Sequence, residues 1–192
     1  MNLSNIKRMK RGRSVCLFNV LDHIAMCVDQ DAKFKCKIIS FCDMIEHMTE
    51  EEDKALCQKY PKIFKNRDGS IMNTCMAWGF ECGSGWFDII DILCHEVQNH
   101  LDWKYKDLPV EEQETFQVVA NQVKEKFGTL CFYCSGGDET TAGMVSMAEA
   151  MTNRTCEECG CPGEIRGKSW VKTLCNECNE EWNKQRGVIR CN

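Results

Sequence analysis

The sequence predicts an α+β fold: a mainly helical body with a few short strands, and a C-terminal treble-clef or zinc-ribbon module packed on it. Three observations lead there. Two C-x2-C pairs, Cys156/Cys159 and Cys175/Cys178, have the spacing of a four-cysteine zinc site. Apolar stripes at helical spacing, several preceded by capping residues, run through the middle of the chain. Short aromatic-rich runs between glycine turns supply the strands.

The chain has 192 residues, 43% of them hydrophobic, which suits one cored domain with a small appendage. No apolar run approaches the roughly 18–20 residues that span a bilayer. No apolar stretch with a small-residue cleavage site follows the basic N-terminus, so a cytoplasmic chain is expected. The 16 cysteines are then thiols, free or metal-bound, in a reducing compartment. The formal net charge is −5, yet Lys7, Arg8, Lys10, Arg11 and Arg13 crowd a stretch without an acid. Residues 1–13 therefore read as a flexible basic arm, 14–152 as an α+β body and 153–192 as the zinc-binding module. Such an arm on an acidic body could reach an anionic partner. No linker composition separates body from module, so the two are expected to pack together.

Within the body, residues 15–18 and 33–39 suggest short strands, although Leu17 to Cys27 reads equally well as a helix. Thr49-Glu-Glu-Glu52 matches a capping box, and its helix carries Leu56 and stops before Pro61. Asn66-Arg-Asp-Gly69 is a turn. In Trp78-Gly-Phe-Glu-Cys-Gly-Ser-Gly-Trp86, two tryptophans bracket three glycines, a tight loop that permits close backbone approach. Ser84 is expected to cap a helix over 85–101 with Phe87, Ile90, Cys94, Val97 and Leu101 as its buried stripe. Pro109 opens a further helix with Glu111 and Glu112 in its first turn. Phe116, Val119, Val123 and Phe127 form its stripe, and Gly128 its C-terminal cap. Residues 129–134 read as a strand, Ser135-Gly-Gly137 as a turn, and 138–151 as another helix.

Each C-x2-C pair forms a knuckle, and two knuckles complete a tetrahedron of thiolates about 2.3 Å from one zinc ion. Four protein ligands leave no open position, so Cys156, Cys159, Cys175 and Cys178 predict a structural zinc ion. Cys161 is a spare thiol beside the first knuckle. Cys75, Cys82, Cys131 and Cys134 could form a second site, although Cys131 and Cys134 point to opposite faces of a regular strand.

Two candidate binding surfaces stand out. Taken as a strand, residues 165–172 put Arg166, Lys168, Trp170 and Lys172 on one face, where they could grip phosphate and stack a base. Alternatively, Trp170 covers the small core of the module. The glycine–tryptophan loop offers Trp78, Glu81 and Trp86. Asp88, Asp91 and His95 share a helix face and could hold a divalent metal for a nuclease; a solvated, ion-paired face is the alternative. Nucleophilic catalysis lacks support: Cys94 and His95 point about 100° apart on a helix, and neither a P-loop nor a G-x-S-x-G elbow is present. No catalytic residues are assigned.

Three segments carry a family resemblance: Trp78-Gly-Phe-Glu-Cys-Gly-Ser-Gly-Trp86, Val123-Lys-Glu-Lys-Phe-Gly-Thr-Leu-Cys-Phe-Tyr133, and Cys156-x2-Cys-Gly-x-Pro-Gly-x2-Arg166 with Cys175-x2-Cys178. Over residues 54–182 the chain resembles small proteins carried by tailed bacteriophages and related mobile elements, a family without assigned catalytic residues. It departs from that pattern at Ser84, where an aspartate is expected, and at Thr129 and Cys131, where a glycine and a basic residue are. The resemblance implies work in a bacterial host cytoplasm during infection. The expected function is that of a non-enzymatic, zinc-binding interaction protein of counter-defence or host takeover. Its partner would be a host protein or a small signalling molecule. The alternatives are a nucleic-acid-binding protein using the arm and residues 166–172, and the metal-dependent nuclease.

Overall fold

The computed structural model describes residues 48–167 and 170–190. The basic arm, the strands expected within 15–18 and 33–39, and Lys168 lie outside the described residues. The rest forms an α+β fold of five helices, a three-stranded sheet and a two-stranded hairpin.

Helix α1 (Glu50–Lys59) starts at the expected capping box: the Thr49 hydroxyl accepts from the Glu52 N–H at 3.3 Å, and the Glu52 carboxylate accepts from the Thr49 N–H at 3.1 Å. It buries Leu56 and ends ahead of Pro61. Helix α2 (Phe87–Lys104) buries Ile90, Cys94, Val97 and Leu101 as expected, with Ile89 and Leu93 beside them. Ser84 does not cap it. A 3-10 turn, Ser84–Trp86, precedes the helix, and the Ser84 hydroxyl donates to Glu52, tying the loop to α1.

The helix expected to continue through Phe127 stops early. Helix α3 covers only Val110–Phe116, and the chain re-emerges as strand β2 (Val119–Lys126). The sheet is ordered β1-β2-β3, with β1 (Phe80–Glu81) parallel to β2 and β3 (Thr129–Ser135) antiparallel to it. Gly128 is accordingly a hairpin residue and not a helix cap. Phe127 and Gly128, at φ 55° and 81°, make the tight two-residue connection whose twist suits a hairpin.

Helix α4 (Glu139–Thr152) begins at Asp138, which forms a second capping box with Thr141. It flanks the outer edge of β3. The Leu130 N–H donates to the Thr152 hydroxyl at 3.0 Å and the Phe132 N–H to the Glu149 carboxylate at 2.8 Å, so these edge donors are satisfied by side chains. One core cluster unites Phe80, Val123, Leu130 and Phe132 of the sheet with Leu56, Ile90 and Val97 of the helices. Phe64 stands edge-on to Phe80 and Phe132, with ring centroids 5.0 and 6.4 Å away.

The C-terminal module is a knuckle, the hairpin β4 (Glu164–Arg166) and β5 (Lys172–Leu174), a second knuckle, and helix α5 (Asn176–Arg190). That order is the outline of a treble clef. Among the described residues no helix is long and apolar enough to cross a membrane.

Candidate metal centre and its surroundings

The module folds its two C-x2-C pairs onto one another. The sulfurs of Cys156, Cys159, Cys175 and Cys178 lie within 4.8 Å of one another. The first knuckle is shaped by the backbone: the Cys156 N–H donates to the Cys161 carbonyl at 2.7 Å, and the Gly160 N–H to the Cys156 carbonyl at 2.9 Å. In the second, the Cys178 N–H donates to the Cys175 sulfur at 3.4 Å. That bond leads the effects that draw the Cys175 thiol down to about 7. Burial pushes Cys156 upward, so these two thiols do not ionise alike in the absence of a cation.

The donor set fits a tetrahedral soft-metal site. Sulfurs 2.3 Å from a central ion sit about 3.8 Å apart along a tetrahedron's edge; the Cys159 and Cys175 sulfurs are 3.8 Å apart. The four cysteines can hold one metal ion. No family model, curated protein or solved structure matches the chain.

Among the described residues this is the one group of three or more Cys, His, Asp or Glu ligand atoms close enough to share an ion. The second thiolate site is thus not formed. Cys82 is fully buried and its thiol is pushed well up by burial; Cys75 is exposed; Cys131 and Cys134 lie on opposite faces of β3. The nuclease triad does not form either. Asp91 accepts from Lys59 at 2.8 Å and from the Tyr60 hydroxyl at 2.9 Å. Burial works to raise its pKa, yet those two bonds hold the carboxylate below its ordinary range. His95 pairs with Asn99 instead, and Asp88 is exposed.

The glycine–tryptophan loop meets the module, not solvent. The Gly85 N–H donates to the Glu157 carbonyl at 2.7 Å, and the Gly83 N–H to the Glu157 carboxylate at 3.1 Å. A Cβ on Gly85 would strike the Cys156 carbonyl oxygen and come within 2.5 Å of the Gly160 nitrogen. Only glycine permits this approach. Trp86 is 0% exposed and its indole N–H donates to the Thr155 carbonyl at 2.8 Å, so it fastens body to module and offers no surface to a partner. Trp78 is half-buried at the end of a 3-10 turn, Cys75–Trp78. Glu81, half-buried on β1, accepts from Gln122 at 2.7 Å.

Residues 165–172 are not one strand. The chain reverses after Gly167, at φ 93°, and Arg166 pairs across the hairpin with Lys172. Both cations are engaged within the module. Arg166 donates to the Leu174 carbonyl, Glu164 and Asn176. Lys172, 3% exposed, reaches Glu158 at 3.0 Å and Glu157 at 3.5 Å. Trp170 is half-buried.

Sequence reasoning missed Glu157 and Thr173. Glu157 lies between two ligands in a stretch that reads as solvent-facing, yet it is 2% exposed. Thr173 is also buried and donates to the Gly128 carbonyl at 2.5 Å, joining the module to the tip of the body's hairpin. No local pattern marks either one, because both contacts are made with distant segments.

Proposed function

We propose that the chain is a non-enzymatic interaction protein whose C-terminal module is held by one structural zinc ion, and that it acts on a component of a bacterial host as a protein of phage type. The observation that carries the zinc reading is the closed sulfur cage of Cys156, Cys159, Cys175 and Cys178. A d10 ion without geometric preference suits four thiolates, and a site with four protein ligands holds structure in place of activating water. The glycine–tryptophan clasp extends that role, since the knuckle carrying Cys156 is also what the body grips. The absence of a catalytic reading follows from the side chains. The half-buried thiol of Cys57 and the buried thiol of Cys94 are both pushed up by burial, Cys57 to about 12, which disfavours the nucleophilic thiolate at neutral pH. Asp91 is engaged by Lys59 and Tyr60.

Two measurements test the reading. Elemental mass spectrometry of protein purified under reducing conditions is expected to give one zinc per chain. Cys156→Ser should abolish it, and Cys131→Ser/Cys134→Ser should leave it unchanged; a metal-free wild-type chain ends the proposal. Immobilised, zinc-loaded chain should retain one host component from bacterial lysate, and recovery of nothing above background removes the interaction half.

A further inference from the structure

The sheet has a buried face and an open one. Val123 and Phe132 pair across β2 and β3 and turn inward. Strand alternation then turns Gln122, Lys124 and Lys126 of β2, with Thr129, Cys131 and Tyr133 of β3, to the other side. On that side two aromatic rings each sit beside an ammonium group. Lys124 Nζ lies 5.8 Å from the Tyr133 ring centroid, and Lys126 Nζ 5.8 Å from that of Phe127 at the hairpin tip. Tyr133 is 43% exposed and Phe127 75% exposed. The two lysines are two residues, about 6.8 Å, apart on one strand, and the rings are further apart: Tyr133 is opposite Gln122, and Phe127 follows Lys126 at the hairpin tip.

We infer that this open face, built on Lys124, Lys126, Phe127 and Tyr133, binds a short stretch of single-stranded nucleic acid. Each ring can stack one base and each ammonium can neutralise one phosphate, a combination that recurs on sheet faces reading unpaired nucleotides. An open, flat platform suits an extended strand better than a free nucleotide, because small-molecule sites are concave and enclose most of the ligand. A duplex hides its bases from such rings. Two carboxylates border the face: Glu81, bonded to Gln122, and Glu149, bonded to the Phe132 N–H. With the chain's net charge of −5, they confine binding to this strip and keep it weak. The face is distinct from Arg166 and Lys172, which the module engages itself. The inference names a partner chemistry for the interaction protein proposed above, but it does not depend on the metal's identity.

The test is fluorescence anisotropy of a labelled eight-nucleotide oligothymidylate titrated with the full chain, zinc content being measured on the same samples. Tyr133→Ala and Phe127→Gly should each weaken binding at least about fivefold, and Tyr133→Phe should preserve it. Two phosphate contacts give a log–log salt slope of about −1.4 from this face, or roughly sevenfold between 50 and 200 mM salt. Lys124→Gln should make the overall slope shallower by about 0.7, and Glu81→Gln should tighten binding. Absence of binding by the wild-type chain overturns the inference. So does unchanged binding by both aromatic variants, which would place the contact on the basic arm. Equal displacement by polyglutamate, meaning an acidic peptide, or by thymidine monophosphate, meaning a free nucleotide, also overturns it. Loss of zinc with intact oligonucleotide binding would count against the zinc reading alone.

Discussion

The two hairpins of this molecule, β2–β3 and β4–β5, share a topology and reach stability by opposite means. The strands of the first are eight and seven residues long and place Val123, Leu130 and Phe132 in a common core with the helices. Those of the second are three residues each; β5 buries Lys172, Thr173 and Leu174, two polar residues out of three. So small an apolar core does not hold a fold, and a crosslink or metal takes its place. The fate of the cations follows. In the small hairpin Lys172 turns inward to Glu157 and Glu158 while Arg166 bonds to Glu164, Asn176 and the Leu174 carbonyl; on the large one, hydrophobic burial holds the strands and leaves Lys124 and Lys126 facing out. The small hairpin beside the four-cysteine site thus uses its charges for structure, whereas the core-held hairpin leaves its lysines at the surface.

Removing the metal should break the comparison most sharply. Zinc modules draw about 10–16 kcal/mol of apparent folding free energy from their ion. Chelation should therefore abolish hydrogen-exchange protection in β4, β5 and the start of α5 while β2 and β3 keep theirs. Simultaneous loss in both hairpins would show that the body has no independent core.

Gly85→Ala should come next. The new methyl meets backbone on the first knuckle, and overpacking of this kind costs about 1–3 kcal/mol. Gly143→Ala is the control: it lies in α4 with nothing within 4 Å of its Cβ, and should stabilise by roughly 0.5–1 kcal/mol. Urea midpoints moving in opposite directions would support the clasp. Equal midpoints would mean that the loop only touches the module.

The smallest effect is expected with acid. Asp138 accepts from His100, Lys104 and Tyr105 and from the Thr141 N–H. Burial opposes ionisation there, yet those bonds hold the carboxylate far below its usual value of 3.8. A depressed folded-state pKa means stabilisation that is present above the unfolded value and lost as pH falls from about 4 downward. Metal release on thiolate protonation should disrupt the module first. The body's urea midpoint should then decline below pH 4 in the wild type, and less steeply in Asp138→Asn.

Much of this was legible locally. The capping box at Thr49, the stripe of α2 and the paired knuckles are short-range signals, and the structure contains all three. Strand β2 was not legible, for an identifiable reason. The register shifts between Ala120 and Gln122, so the two-residue alternation is interrupted there. Burial at Val119, Ala120 and Val123 then mimics the four-residue spacing of a helix face. Gly128, which resembles a helix cap, is the second half of a hairpin turn. The site divided in the same way. The cysteine spacing sufficed for the metal ligands, whereas the inward roles of Trp86, Glu157 and Lys172 arise from contacts across the chain that composition does not encode.

The side chains of Thr152 and Glu149 along the outer edge of β3 have a consequence for how the sheet meets other molecules. Exposed strand edges recruit further strands, and that is how sheets polymerise or capture extended peptides. With the Leu130 and Phe132 N–H groups already bonded to α4, that edge of the sheet cannot propagate. A visitor is met broadside, on a surface of side chains, and a crowded population of these chains has no seam there along which to zip together.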